Sequence, residues 1–242
     1  YEHRETTLPQ IARLIVRLMA HHPDENGLIH AHSYAIAEEL ADRLADFGVG
    51  SRVRTHTKAS RDDELTAWKA SDDPEVFIAV KMEEALDLNG DLARWQVLCK
   101  APYLNTNDSR VARRLEDDQW AWYHRTALRT VIQACGRVVR APDDYGATYL
   151  ADSSLLDLFD RATADMPPWF REQVDRCSRP TLPAFDPAAA VAGLDGSAGT
   201  GSRQRSVTQH RSESVSSSGQ TRTDADADQR ADHPLSDVWG DG

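Results

Sequence analysis

The chain has 242 residues, 40% hydrophobic and 28% charged, with a formal net charge of −11. This is room for one large or two small domains, while a mean hydropathy of −0.58 places part of the chain outside any core. No apolar run approaches the roughly 18 residues that cross a bilayer, the three cysteines (Cys99, Cys135, Cys177) cannot build a disulfide framework, and no Cys-x-x-Cys pair suggests zinc.

Residues 8–22 carry apolar side chains at helical spacing, and residues 27–33, GLIHAHS, read as a short buried strand. Residues 34–48 form an amphipathic helix closed by Gly48, the residue type that ends helices in a left-handed conformation. A strand is expected over 53–58, a helix over 60–71 and a fully apolar strand, VFIAVK, over 76–81. Another strand covers 95–102, followed by a helix near 108–116 and a longer one near 119–139. A strand over 147–152 and helices near 153–163 and 167–177 close the series, and there is no internal repeat. Short apolar strands alternating with helices imply a parallel sheet covered on both faces, an α/β doubly wound fold. Ligands of such sheets bind at the carboxyl ends of the strands, here just after residues 33, 58, 81, 102 and 152. Neither GxxxxGK[ST] nor GxGxxG occurs, so a nucleotide bound here takes its primary phosphate site from elsewhere.

Composition changes at 181. Residues 181–242 hold PAAAVAGLDGSAGTGS, RSESVSSSGQ and TDADADQRAD, with almost no large apolar side chains. Such a segment buries too little surface to offset its backbone entropy, so a folded domain is expected over 1–180 and a disordered tail over 181–242. Trp239, in acidic surroundings near the end, reads as part of that tail, with a docking peptide as the alternative. The tail carries 5 of the basic and 9 of the acidic residues, leaving 23 and 30 in the folded part. Lysine supplies only Lys58, Lys69, Lys81 and Lys100 of the 28 basic residues. An acidic, lysine-poor, arginine-rich surface fits a protein working at high salt, and arginine bias also follows from GC-rich coding. The acidic total excludes broad basic nucleic-acid binding but allows a local arginine patch. Cysteine usage fits a reducing, intracellular (cytoplasmic) compartment, and the polar opening at Tyr1 reads as the C-terminal piece of something longer.

The segment richest in chemistry is Gln133-Ala134-Cys135-Gly136-Arg137-Val138-Val139-Arg140. The spacing i, i+4, i+7 places Gln133, Arg137 and Arg140 on one helical face, and Gly136 permits a close approach to that face. Two guanidiniums and an amide aimed one way suit a phosphoryl group. A solvated helix face with two ordinary arginines is the plain alternative.

This segment resembles motif VI, QxxGRxxR, of superfamily 2 helicases of the XPD/DinG type, and the resemblance continues in order over about 24–175. APDDYGATYLAD (141–152) and MPPWFREQV (166–174) look like the stretches after motif VI, and CKAPYLNTNDSRVARRLE (99–116) like the strand-Pro segment and arginine-bearing helix before it. EEALDLNGD (83–91) is similar to motif V, with Ala85 where the family usually has Gly, and GLIHAHSYAIAEEL (27–40) to motif IV. Asp152 is followed by Ser153 and Ser154, where the family usually reads Asp-x-Arg.

The resemblance implies a RecA-like fold, the second of two motor domains, with the first and its Walker loops preceding Tyr1. ATP with Mg2+ would sit between the domains, held mainly by the first. Arg140 would be the arginine finger, Arg137 a second phosphate contact and Gln133 the group positioning the γ-phosphate or attacking water. Glu84 and Asp87 would link the ATP cleft to single-stranded DNA, or else cap their loop. Ser33 and Tyr34 would face the DNA strand, by hydroxyl-to-phosphate contact and by stacking, with Tyr34 otherwise a helix staple. Arg110 and Arg113 form a basic turn with Arg114, or else a surface face paired with Glu116, Asp117 and Asp118. His21, His22, His30 and His32 lack a Cys or carboxylate at metal-ligand spacing and read as core or surface histidines. The family's iron–sulfur cluster uses cysteines of the first motor domain. The expected function is thus the C-terminal motor domain of an ATP-dependent DNA helicase. Alternatives are a non-catalytic nucleic-acid-binding adaptor on a degenerate motor domain and, less compatible with the missing phosphate loop, a kinase or dehydrogenase.

Overall fold

The computed structural model of the chain describes residues 4–80, 82, 92–139 and 145–194. Helix α1 (Arg4–His21) buries Leu8, Ile11, Ala12, Ile15, Val16, Leu18 and Met19, the stripe that a 3.6-residue period brings to one face. Strand β1 (Gly27–His30) leads into α2 (Tyr34–Asp46), whose N-cap Ser33 accepts a hydrogen bond from the Ile36 amide and whose buried face is Ala37, Leu40 and Leu44. Gly48 follows with φ +81°, the left-handed residue expected at a helix end. Then come β2 (Val53–Arg54), α3 (Arg61–Ala70), β3 (Val76–Ala79), β4 (Trp95–Leu98), α4 (Ser109–Glu116) and α5 (Trp120–Cys135). Strand β5 (Ala147–Leu150) and helices α6 (Ser154–Arg161), α7 (Pro168–Asp175) and α8 (Pro187–Val191) complete the described part.

The described strands form one sheet in the order β2-β3-β1-β4-β5, every neighbouring pair parallel. Side chains alternate between the two faces of the sheet. Ile29, Val76, Ile78, Trp95 and Val97 pack with α1 and α2. Leu98 packs with Leu128, Val131, Leu155 and Phe170 of α5, α6 and α7, while Leu28, Phe77 and Ala79 pack with Trp68 of α3. Helices therefore cover both faces, as the continuous apolar strands require.

The strands are shorter than the apolar runs that announce them. His32, at φ +61°, turns the chain away two residues after β1 ends. Strand β2 stops at Arg54, and the Val80 amide finds an acceptor in the His56 ring, Nε2, at 3.2 Å. Side-chain acceptors here replace the missing strand backbone.

The core also extends past the boundary expected at 180. Arg17 donates to the carbonyls of Pro183 (2.6 Å) and Leu182 (3.0 Å), and Arg13 lies over the Phe185 ring at 5.0 Å. Asp186 caps α8 by accepting from the Ala188 amide at 3.0 Å, and Ala190 is fully buried in the α1–α2 core. A Cβ at Gly193 would stand 2.2 Å from the Pro23 carbonyl oxygen. Small side chains let this segment lie directly on α1, which composition alone read as poverty of core-forming residues. The expected tail is corrected over 182–194; residues from 195 onward, Trp239 among them, lie outside the described residues.

Arg52 joins these pieces and is fully buried. Its five N–H groups are all used on backbone carbonyls: Nε on Pro74, Nη1 on Met19 and Ala190 (2.8 Å each), Nη2 on His22 (2.6 Å) and Glu25 (2.9 Å). Burial pushes the guanidinium down to about 10, against the pull of Asp24 and Glu25, so it stays charged at neutral pH. Replacing it with methionine leaves those carbonyls without their donor. Arg52→Met should destabilise the chain by at least about 3 kcal/mol in urea unfolding, and ending the chain at Pro180 should also lower the midpoint. Unchanged midpoints would contradict both assignments.

Candidate functional site

Helix α5 forms because Tyr123, Ala127, Leu128, Val131, Ile132 and Ala134 present one buried face to the sheet. It stops at Cys135, short of the expected 139. Gly136 donates to the Ile132 carbonyl and Arg137 to that of Ala134, each at 3.1 Å, so Gln133 sits on the last helical turn and Arg137 on the turn after it. The single helical face expected to carry both does not reach Arg137; the helix end and its turn present them instead. Gln133 and Arg137 are half-buried, the Arg137 Nε is sealed from solvent and Gly136 is exposed. Arg140, Glu84 and Asp87 lie outside the described residues.

The helix runs antiparallel to β4. Near its start the Tyr123 hydroxyl donates to the Leu104 carbonyl at 3.0 Å; near its end the Ala134 carbonyl accepts from Gln96, in the amino-terminal half of β4, at 2.9 Å. The Gln133–Arg137 turn thus lies away from the carboxyl ends where a search by sheet topology begins. On the far side of the undescribed residues 140–144 the chain is pinned again. Arg94 lies 4.2 Å over the Tyr145 ring and donates to its carbonyl at 2.9 Å. The Tyr145 hydroxyl reaches Glu25 at 3.4 Å, whose carboxyl is held below its usual range by the hydrogen bond to His22.

Ser33 and Tyr34 stand at the carboxyl end of β1, apart from that turn. The Ser33 hydroxyl is engaged as the α2 cap, 3.4 Å from the Ile36 amide. Tyr34 is exposed and meets the His56 ring edge-on at 5.7 Å, with His56 stacked on Phe77. Arg110 is exposed on α4 and paired with Asp108 at 3.3 Å. Arg114 reaches Gln119 and covers the Trp122 ring at 4.4 Å, while Arg113 is exposed. Arg110 thus pairs with a preceding aspartate, and Arg114 with a following amide and indole. His22 is held by Glu25 and Tyr149 and His30 by Gln96, as core histidines are. Asp152 accepts from the Ala101 amide and from the Ser154 amide and hydroxyl, so this aspartate joins the segments that follow β4 and β5, and the serine that departs from the family pattern helps to hold it. Burial pushes the Cys99 and Cys135 thiols up to about 12, which excludes them as nucleophiles at neutral pH.

One cluster was not marked by sequence. Tyr103 stacks on Tyr123 at 5.4 Å, and Trp120 and His124 adjoin them. Trp120 is 48% exposed. The run Trp120-Ala121-Trp122-Tyr123-His124 was its visible signal, hidden by the helical periodicity around it.

The glycines near the turn separate fold from site. A Cβ at Gly146 would stand 2.7 Å from the Val138 carbonyl oxygen, whereas one at Gly136 would meet nothing nearer than 3.7 Å. The chain's own packing therefore requires glycine at 146 and leaves 136 open. Gly146→Ala should lower the unfolding midpoint, and Gly136→Ala should hold stability within about 1 kcal/mol; thermal melts of the two variants check this.

The model of the helicase C-terminal domain family matches residues 15–173. Regulator of telomere elongation helicase 1 of Homo sapiens is 33% identical over 116 residues, covering 40% of this chain and 9% of that protein. ATP-dependent DNA helicase chl-1 of Caenorhabditis elegans is 28% identical over 168 residues, 61% of this chain and 20% of that protein. The solved structure of S. tokodaii Xpd4 superimposes with a TM-score of 0.52 at 23% identity, covering 70% of this chain and 34% of that one. The chain thus spans only a small part, 9% for the human protein, of the curated relatives it matches.

Proposed function

Because the chain belongs to the helicase C-terminal domain family, of XPD/DinG type, we propose that it is the second motor domain of an ATP-dependent DNA helicase. The observation that carries this is the α5-terminal turn, where Gln133, an exposed Gly136 and a half-buried Arg137 stand together in a sequence that contains neither GxxxxGK[ST] nor GxGxxG. A preceding motor domain holds the phosphates and Mg2+. Arg140 is the arginine finger, neutralising charge that develops on the transferred phosphoryl; Arg137 is a second phosphate contact and Gln133 orients the γ-phosphate or water. Gly136 admits the nucleotide or the opposing domain, which accounts for a glycine that the chain's own packing does not demand.

Glu84 and Asp87 couple hydrolysis to movement along single-stranded DNA. Ser33, Tyr34, Arg110 and Arg113 line the strand's path by hydroxyl, ring and guanidinium contacts that read no sequence, and the Trp120 cluster offers further stacking faces. The site of action is intracellular, at high salt, consistent with the acidic, lysine-poor composition.

The isolated chain should not bind ATP at micromolar concentration by calorimetry, because the phosphate cradle lies in the other domain. In the complete helicase, Arg140→Ala should cut DNA-stimulated ATP turnover by on the order of 10³-fold, with nucleotide affinity within about tenfold. Arg140→Lys should rescue little, since an ammonium lacks the planar two-pronged contact. Arg113→Ala should weaken single-strand binding and reduce its salt slope by about one. Hydrolysis near the wild-type rate by Arg140→Ala would make the adaptor reading the better one.

A further inference from the structure

A glutamine at the centre of a parallel sheet calls for a reason. Gln96 is fully buried in β4, between Trp95 and Val97, where a valine or leucine would satisfy the sheet without the cost of burying an amide. Its side chain points to the α5 side, and its nitrogen faces three oxygens: the Ala134 carbonyl at 2.9 Å, the Cys135 carbonyl at 3.4 Å and the Thr148 hydroxyl at 2.8 Å. Two of these can only accept, so the amide nitrogen must face them. The Gln96 oxygen then lies 3.0 Å from His30 Nε2, which carries the proton.

The two carbonyls are among the last four of α5, which no further turn of helix can satisfy. Elsewhere such groups find water or a capping glycine; here a side chain from the neighbouring strand takes them inside the core. The Ala134 carbonyl also accepts the Arg137 amide. The sheet therefore holds the one carbonyl on which the turn to Arg137 closes.

We propose that Gln96 is a positioning residue that fixes the α5 terminus, and through it Arg137, in the place the nucleotide requires. The inference rests on the reading of Arg137 as a phosphate contact. Arg137 sits on a turn, where nothing in the helix ladder itself fixes its direction, and a displacement of about 1 Å in a positioned group is worth about a hundredfold in rate. Gln96 supplies the fixed point from the rigid side of the molecule, and Thr148 and His30 lock its rotamer from β5 and β1.

Gln96→Met keeps the length of the side chain but removes the donor from the two carbonyls. In the 242-residue chain, hydrogen exchange of the Gly136 and Arg137 amides should accelerate about two- to tenfold, with β1 and β3 amides unchanged. In the complete helicase, kcat for ATP should fall about tenfold or more with KM within about threefold. In an Arg137→Ala background the same substitution should cost less than about twofold, because its effect runs through Arg137. Gln96→Leu, also without the donor, replaces it if the methionine variant does not fold. Unchanged exchange at 136 and 137, or an equal loss of kcat with and without Arg137, would overturn the proposal while leaving the role of Arg137 standing. Should Arg137→Ala alone leave kcat intact, the reading beneath the proposal fails.

Discussion

The described fold is organised around one buried cation that has no carboxylate in its hydrogen-bond shell. Arg52 spends all five donors on carbonyls from the end of α1, the loop after it, the approach to β3 and helix α8. A charge in the interior is tolerated only when every hydrogen-bonding group is met, and here the partners are backbone, whose positions are set by the elements they belong to. The same constraint explains why α8 belongs to the core. Ala190 supplies both a methyl-sized side chain that fits against α1 and a carbonyl that completes the arginine's shell, and Arg13 and Arg17 repeat the theme along the segment leading to it.

A second constraint is the alternation of side chains in a sheet covered on both faces. It sends Ile29, Ile78 and Val97 towards α1 and α2, and Leu28, Phe77 and Leu98 towards the helices opposite. Gln96 and His30 are polar exceptions on the second face, and the partners of Gln96 show what its exception does. Strand, helix end and the turn bearing Arg137 are joined by one amide, so the rigid part of the domain reaches directly to a residue of the candidate nucleotide site. Ser33 and Tyr34 occupy the carboxyl end of β1, so the groups read as facing ATP and those read as facing DNA sit at different places on the same sheet. His30, the last residue of β1, bonds Gln96 and so joins the strand that leads to Ser33 and Tyr34 to the strand that holds the α5 terminus.

Much of this was legible in the linear chain because it depends on local period and composition. Apolar spacing gave each helix from α1 to α7 to within a few residues, Gly48 marked its left-handed turn, and the ordered blocks around Gln133 and Arg137 pointed to the family. Strand ends were less legible, because a strand stops where its neighbour stops: β2 is cut short by a partner that His56 supplies from the side, and no single segment announces that. The helical face expected to join Gln133 to Arg137 failed for a similar reason, since a continued period is only a possibility until capping interactions end it at Cys135.

The sequence by itself determined the elements, the sheet class, the family and the residue types at the turn, because propensity, periodicity and motif are properties of neighbours along the chain. Only the tertiary structure decided that residues 182–194 pack on α1 with Ala190 in the core, that Arg52 and Gln96 are tie points, and that glycine is required by packing at 146 but not at 136. Each of those depends on carbonyls or side chains brought from distant positions. A low-complexity alanine run, an arginine or a buried glutamine has no intrinsic value for a fold until the groups it must satisfy are in place around it.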